Sequence, residues 1–259
     1  MAAPSRFPQG LSVSAPWQFF GGMGLPNPFY YHRRFDDFDI MPAATSGWTV
    51  TGTGTATAGS ADGGTVVLTT TAVAAEFEEI QGTQVGFTPV AGKKTYFVAR
   101  LSLSDVLNSA FVAGLMPITA TPFTAPANGM WISKASGSTQ LALNVANNGV
   151  TTTTLFPVSA ITLANNVFFE VGIHVTGGAS NTLQGVTITG SVAPSLVSYI
   201  PQSGTGAANS TNRAPNIIST APLITTLQAT VLAPVVALQA GTTTIKTASV
   251  DFVGAFRER

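Results

Sequence analysis

The chain has 259 residues, 45% of them hydrophobic and only 8% charged, and its formal net charge is zero. That balance excludes an intrinsically disordered chain, which needs few apolar groups and high net charge. It also excludes a clustered basic footprint for nucleic acid, because Arg33-Arg34 and Lys93-Lys94 are the only adjacent basic pairs, and the lack of cysteine excludes disulfides and thiolate metal sites.

Residues 1–33 differ from the rest of the chain. Pro4, Pro8, Pro16, Pro26 and Pro28, with Gly21, Gly22 and Gly24, forbid a helix and fit poorly in central strands. Phe7, Trp17, Phe19, Phe20, Phe29 and Tyr30 are nevertheless too many aromatics for a solvated linker. An extended arm that lays these side chains on another surface accounts for both features. Fully extended, it would reach roughly 110 Å at about 3.3–3.6 Å per residue. The opening "MAAPSRFPQG" lacks the apolar core of a signal peptide, and no run of 18 apolar residues occurs. Synthesis in a cytoplasm and no membrane partner are therefore expected. Asn209-Ser210-Thr211 matches a glycosylation acceptor and is read as chance in a chain without a secretion signal.

The stretch "YYHRRFDDFDI", Tyr30–Ile40, gathers His32, Arg33, Arg34, Asp36, Asp37 and Asp39 in an otherwise nearly uncharged sequence. We read it as the junction between the arm and a domain spanning 34–259. His32, Arg33 and Arg34 mark the turn into the domain. Phe35 and Phe38 are buried on the first strand, and the acids face basic groups such as Arg257 and Arg259 of the last strand. The strand through Phe35–Asp39 is expected beside that through Ser249–Phe256. Calcium binding by the three Asp fails for want of the Asp-x-Asp-x-Asp-Gly spacing.

Beyond the junction, short runs rich in Thr and Val, both stiff at Cβ, alternate with turn residues. "TVTGTGTATAGSADGGTVVLTTT" reads as two strands around Asp62-Gly63-Gly64. "EFEEI" ends a strand or loop with solvated acids. "KKTYFVARLSLSD" places Tyr96, Val98, Arg100 and Ser102 on one face and Thr95, Phe97, Ala99, Leu101 and Leu103 on the other. "LSDVLNSA" is at most one helical turn capped by Ser104. "AFVAGLMPI", "GMWISK", "QLALNVANNG", "TTTTLFPV", "VFFEVGIHVTG", "QGVTITG" and "LVSYI" follow at strand-like spacing. A long polar loop covers 200–216, and the runs from "ITTLQATVLAPVVALQAG" and "TTIKTASVDFVGAF" close the chain. About a dozen strands without a fixed repeat give an all-β fold, a jelly-roll or concanavalin-like β-sandwich.

Motifs for chemistry are missing. The two histidines are His32 and His174, the latter in a strand-like run and read as structural. No Gly-x-Ser-x-Gly elbow, His-Glu-x-x-His motif or phosphate-binding glycine loop occurs. The carboxylates fall into Asp36-Asp37-Asp39, Glu76-Glu78-Glu79 and five scattered positions, with no spacing that builds the facing pair of a glycosidase. No catalytic residue, cofactor or metal is expected. Between Leu101 and Ile245 only Asp105, Lys134, Glu170 and Arg213 are charged. An uncharged sheet surface covered by sister copies or by another protein explains this, and so does a Thr-rich solvated surface.

"SRFPQGLS", "GGMGLPNPFYYHRRFDDFDI" and the closing "SVDFVGAFRER" resemble virion proteins of tailed bacteriophages. The resemblance implies an N-terminal arm on a jelly-roll or concanavalin-like sandwich. It further implies a non-enzymatic capsid decoration (cement) protein, commonly a homotrimer, on the capsid surface of the virion and bound to the major capsid protein. In that role Phe7, Trp17, Phe19, Phe20, Phe29 and Tyr30 are the arm's interface anchors. The alternative is a carbohydrate-binding receptor-binding or tail-fibre module, with Trp48, Trp131 and Tyr199 exposed for sugar stacking. A glycan-degrading enzyme on the same fold lacks any triad or placed acid pair.

Overall fold

A computed structural model describes residues 31–40, 42, 46–59, 64–83, 86–90, 93–119, 121–156, 163–176, 181–189, 216–224 and 231–259. The arm anchors Phe7, Trp17, Phe19, Phe20, Phe29 and Tyr30, the aromatic Tyr199 and the polar loop up to residue 215 lie outside them. The described chain forms fifteen strands: β1 (Tyr31–Asp36), β2 (Trp48–Gly52), β3 (Thr55–Ala58), β4 (Val66–Thr69), β5 (Phe77–Gly82), β6 (Thr95–Leu103), β7 (Ser109–Met116), β8 (Gly129–Lys134), β9 (Leu141–Asn147), β10 (Val150–Leu155), β11 (Phe169–Thr176), β12 (Asn181–Thr189), β13 (Asn216–Ile224), β14 (Ala233–Ala240) and β15 (Thr247–Glu258).

They build two antiparallel sheets. The eight-stranded sheet runs β13-β12-β11-β6-β15-β4-β3, with β1 also paired to β15. The seven-stranded sheet runs β10-β9-β8-β7-β14-β5-β2. Alternation dictates what lies between them. From β6, Phe97, Ala99, Leu101 and Leu103 enter the core; from β7, Phe111, Ala113 and Leu115; from β8, Met130 and Ile132. Phe111 and Phe169 meet across the two sheets with ring centroids 5.5 Å apart. The two-faced reading of β6 therefore stands. Its other face is not solvated, however, because Tyr96 and Val98 are buried as well.

The first and last described strands do pair, as the sequence suggests. Tyr31 lies opposite Glu258 and Asp36 opposite Val253, and β1 stops at Asp36 rather than Asp39. His32, Arg33 and Arg34 are thus inside a strand and do not form a turn. A register shift in β15 between Val250 and Phe252 leaves Asp251 outside the regular pairing. Such a bulge re-aims one side chain, here toward Arg100. Ser104 caps no helix. Its N–H donates to the Thr247 carbonyl, and its hydroxyl accepts from the Thr247 N–H at 2.9 Å, joining the loop after β6 to the start of β15.

Candidate functional site

Two regions concentrate polar chemistry. The first is the junction. Asp36 turns into the domain and does not face the C-terminal arginines. Its Oδ1 accepts from the Phe38 N–H at 2.9 Å, and its Oδ2 accepts from Trp48 Nε1 at 2.7 Å and from Arg34 at 3.3 Å. The Arg34 guanidinium lies 4.8 Å from the Trp48 ring centre, and Phe38 packs on the same indole at 5.6 Å. Trp48 belongs to the seven-stranded sheet and Asp36 to the eight-stranded one. This cluster therefore clasps the two sheets together at the end of β1 remote from Tyr31, where residues 1–30 join the strand. A little further along β1, the His32 ring sits 4.6 Å from that of Phe87.

Phe38 is buried as expected, at a left-handed φ of 57° beside Gly64, which leaves no room for a Cβ against the Phe38 carbonyl. Phe35 is not buried. It is 41% exposed and stacks on Phe252 on the outside of the sheet. Arg33 and Asp39 are exposed and Asp37 is half-buried.

The second region is the outer face of the seven-stranded sheet. Phe77, Glu79 and Gln81 point outward from β5 by alternation, since Ile80 is in the core. Gln81 holds the connection after β7, donating to the Pro117 carbonyl at 2.9 Å and accepting from the Thr119 N–H at 3.0 Å. Phe77 meets Phe123 of the same connection at 6.2 Å. Glu79, between these two anchors, is wholly buried. Burial pushes its carboxyl up to about 7, and neighbouring Glu78 adds to the rise. Thr51 on β2 opposes the shift, yet neither carboxylate oxygen has a hydrogen-bond partner of good geometry. Glu78 is buried too, and desolvation raises it against a bond from the Gly54 N–H at 3.0 Å. The expectation of solvated acids in "EFEEI" is thus overturned for both residues, because β5 is an interior strand flanked by β14 and β2.

The same face buries Trp131 with Val112, Met116, Ala146, Val235 and Ala237, partly under Phe123. Trp48 is buried in the core. Neither of these tryptophans can stack on a sugar as the lectin-like alternative required. His174 lies in β11 opposite Tyr96.

The remaining charges serve the fold. Arg100 bonds Asp251 at 2.6 Å, stands 3.9 Å from Glu170 and covers the Phe168 ring at 4.7 Å. Lys246 bonds Asp105 at 2.6 Å. That bond, followed by the Asn108 N–H, holds the Asp105 carboxyl well below the usual carboxylate range. Lys134 is buried, and its ammonium donates to three backbone carbonyls. Among the described residues, no group of three or more His, Asp or Glu is placed to hold a metal ion. No motif in the sequence marks Gln81, Lys134 or Asp105 as buried or bonded in this way. For Glu79 the one available signal is a Glu-Glu pair inside a run that alternates Phe77, Glu79 and Gln81.

No protein-family model matches the chain, and no curated protein sequence does. Solved structures do resemble it. Peanut lectin aligns over 88% of this chain and 97% of its own, with a TM-score of 0.58 and 8% identity. Lectin II from Ulex europaeus aligns over 88% and 98%, at 0.57 and 9%. An endo-beta-1,4-glucuronan lyase from the fungus Trichoderma reesei aligns over 86% and 94%, at 0.54 and 14%. At these identities the likeness is one of fold. The chain is an all-β, concanavalin-like β-sandwich.

Proposed function

We propose that this sandwich works by adhesion and not by catalysis, as a structural virion protein of the capsid decoration type that binds a major capsid protein through its N-terminal arm. The observation that supports the reading is the clasp at Arg34, Asp36, Phe38 and Trp48. The segment before Tyr31 leaves from a strand paired over six residues with β15 and bonded side chain to side chain across both sheets. An arm rooted in this way transmits load to the whole sandwich, which a linker would not. The described ion pairs are consumed inside the fold, which suits a surface that grips by apolar and backbone contacts. Removal of residues 1–30 is the test. Loss of binding to expanded capsids of the encoding phage is expected, and unchanged affinity would overturn the reading.

The second reading is a carbohydrate-binding module, favoured by the lectin-like fold and weakened by the burial of Trp48 and Trp131. A glycan array separates the two, because specific sugar binding by the arm-less protein belongs only to the second.

A further inference from the structure

The edge of the seven-stranded sheet formed by β10 is unlike the other edges. Its sequence is "VTTTTL", with every residue exposed or, at Thr154, half-exposed. Val150 is 71% exposed and Leu155 56%. It contains no charge, no proline and no bulge, and its pairing with β9 is regular from Val150 to Leu155. No residue from 135 to 169 is charged. Sheet edges are ordinarily protected by charges, prolines, bulges or shortness, because a bare row of N–H and C=O groups templates a further strand. The other edges carry such protection. β13 contains Pro222, and β1 carries the exposed Arg33. β2 and β3 are short pieces of one run that passes between sheets at Gly52 and Gly54.

The geometry of the edge is readable from the described residues. The turn between β9 and β10 is Asn148-Gly149, with φ of 52° and 81°, the two-residue turn that makes Asn147 and Val150 a mutually hydrogen-bonded pair. Bonds toward β9 then fall on Val150, Thr152 and Thr154, and the Phe156 N–H continues the series by donating to the Leu141 carbonyl at 2.9 Å. The backbone groups of Thr151, Thr153 and Leu155 therefore point away from the sheet. An antiparallel neighbour related by a twofold axis at Thr153 would meet all of them: Thr153 opposite Thr153, and Thr151 opposite Leu155 of the second copy. In this register outward backbone groups meet outward groups, and side chains stay on matching faces, as a continuous sheet requires. Thr152 lies opposite Thr154, a cross-strand pairing that sheets favour.

We propose that β10 is a docking edge for a second copy of this chain, joining two seven-stranded sheets into one across a twofold axis at Thr153. A second copy is the occupant the chemistry selects. The strand has no charge with which to choose a different partner, and it is self-complementary in both hydrogen bonding and side-chain pairing. The contact is isologous and closes at two copies. It departs from the homotrimer that the resemblance to virion proteins implies.

The experiment measures the mass of the full chain in solution against concentration. A reversible dimer is expected. Thr153→Pro removes an N–H that no described strand of the chain uses, so the fold survives while the dimer weakens at least about tenfold. Thr153→Lys places two ammonium groups at the axis and is expected to do the same should the proline variant fold poorly. In a chain without cysteine, Thr153→Cys is expected to be joined to its twin by a short bismaleimide much faster than Val73→Cys in the β4–β5 connection. A monomeric wild type at every concentration, open-ended polymer, an unchanged dimer in both the proline and lysine variants, or equal cross-linking of the two cysteine variants would each overturn the proposal.

Discussion

The seven-stranded sheet buries two opposite charges in contrasting ways. Lys134, at the end of β8, is 1% exposed and gives its three protons to the carbonyls of Ser109, Ala135 and Ser138, the last two at 3.0 and 2.9 Å. Its ammonium thus fastens the β8–β9 turn to the start of β7. Glu79, on β5 in the same sheet, is 0% exposed and has no such cage. Burial nevertheless penalises the charged form of both groups alike, and at Lys134 the charge of Asp105 opposes it. Burial pulls Lys134 down to about 8, which leaves it charged at neutral pH. Burial pushes Glu79 up to about 7, so near neutrality it holds its proton about half the time. The carbonyls satisfy the three protons of Lys134 without sparing it the penalty of burial; it stays charged because its ordinary value starts at 10.5, whereas that of Glu79 starts at 4.5 and is pushed up to neutrality.

The largest effect should come from dismantling the cage. Lys134→Met keeps the stem's volume and strands three carbonyl acceptors, at a cost of about 3–5 kcal/mol in unfolding free energy at pH 7. Denaturant titration checks this. A loss below about 1 kcal/mol would mean that water replaces the ammonium and that the cage is not what holds the turn.

Glu79 should respond to pH in the opposite sense from an ordinary salt-bridged acid. Between the usual carboxyl value of 4.5 and about 7, the folded chain holds a proton that the unfolded chain has released. Stability contributed by this group therefore falls as pH rises through that window, by about 3 kcal/mol in all, and is level above it. Glu79→Gln removes the dependence. Wild type and variant should match near pH 4, and the variant should be more stable by about 2–3 kcal/mol at pH 8. Parallel curves across the window would show that Glu79 is hydrated in solution, and that the connection tied down by Gln81 and Phe77 does not seal it.

Much of the fold was legible in the sequence because alternation and turn residues act locally. "KKTYFVARLSLSD" assigned both faces of β6, and "QLALNVANNG" and "TTTTLFPV" marked the runs of β9 and β10. The pairing of the first and last strands was legible from their aromatic and charged content. Its register was not, since nothing in either run marks which residue opposes which. The fate of "EFEEI" was illegible for a similar reason. Two glutamates in a row ordinarily mean solvent, and only the position of β5 between β14 and β2, set by contacts from distant sequence, buries them. The tryptophans misled in the same way: Trp48 looked free to stack on a sugar until the Asp36 bond tied it into the clasp.

Arg100 and Asp251 lie between the two extremes of the comparison. Their side chains are 15% and 13% exposed and meet at 2.6 Å, so desolvation is partial and the opposite charge, not a carbonyl cage, supplies the compensation. Asp251→Asn keeps the bulge's shape and one hydrogen-bond acceptor while removing the charge. Glu170, 3.9 Å from Arg100 Nε, stays in place and takes over part of the neutralisation. The loss should therefore be the smallest of the three, about 1 kcal/mol at low salt and less at high salt. A double-mutant cycle with Arg100→Met isolates the pair from the ring contact that Arg100 makes with Phe168. If the coupling equals or exceeds the loss at Lys134, opposite charge outperforms aligned backbone dipoles in this sandwich, and the ranking drawn from Lys134 and Glu79 is reversed.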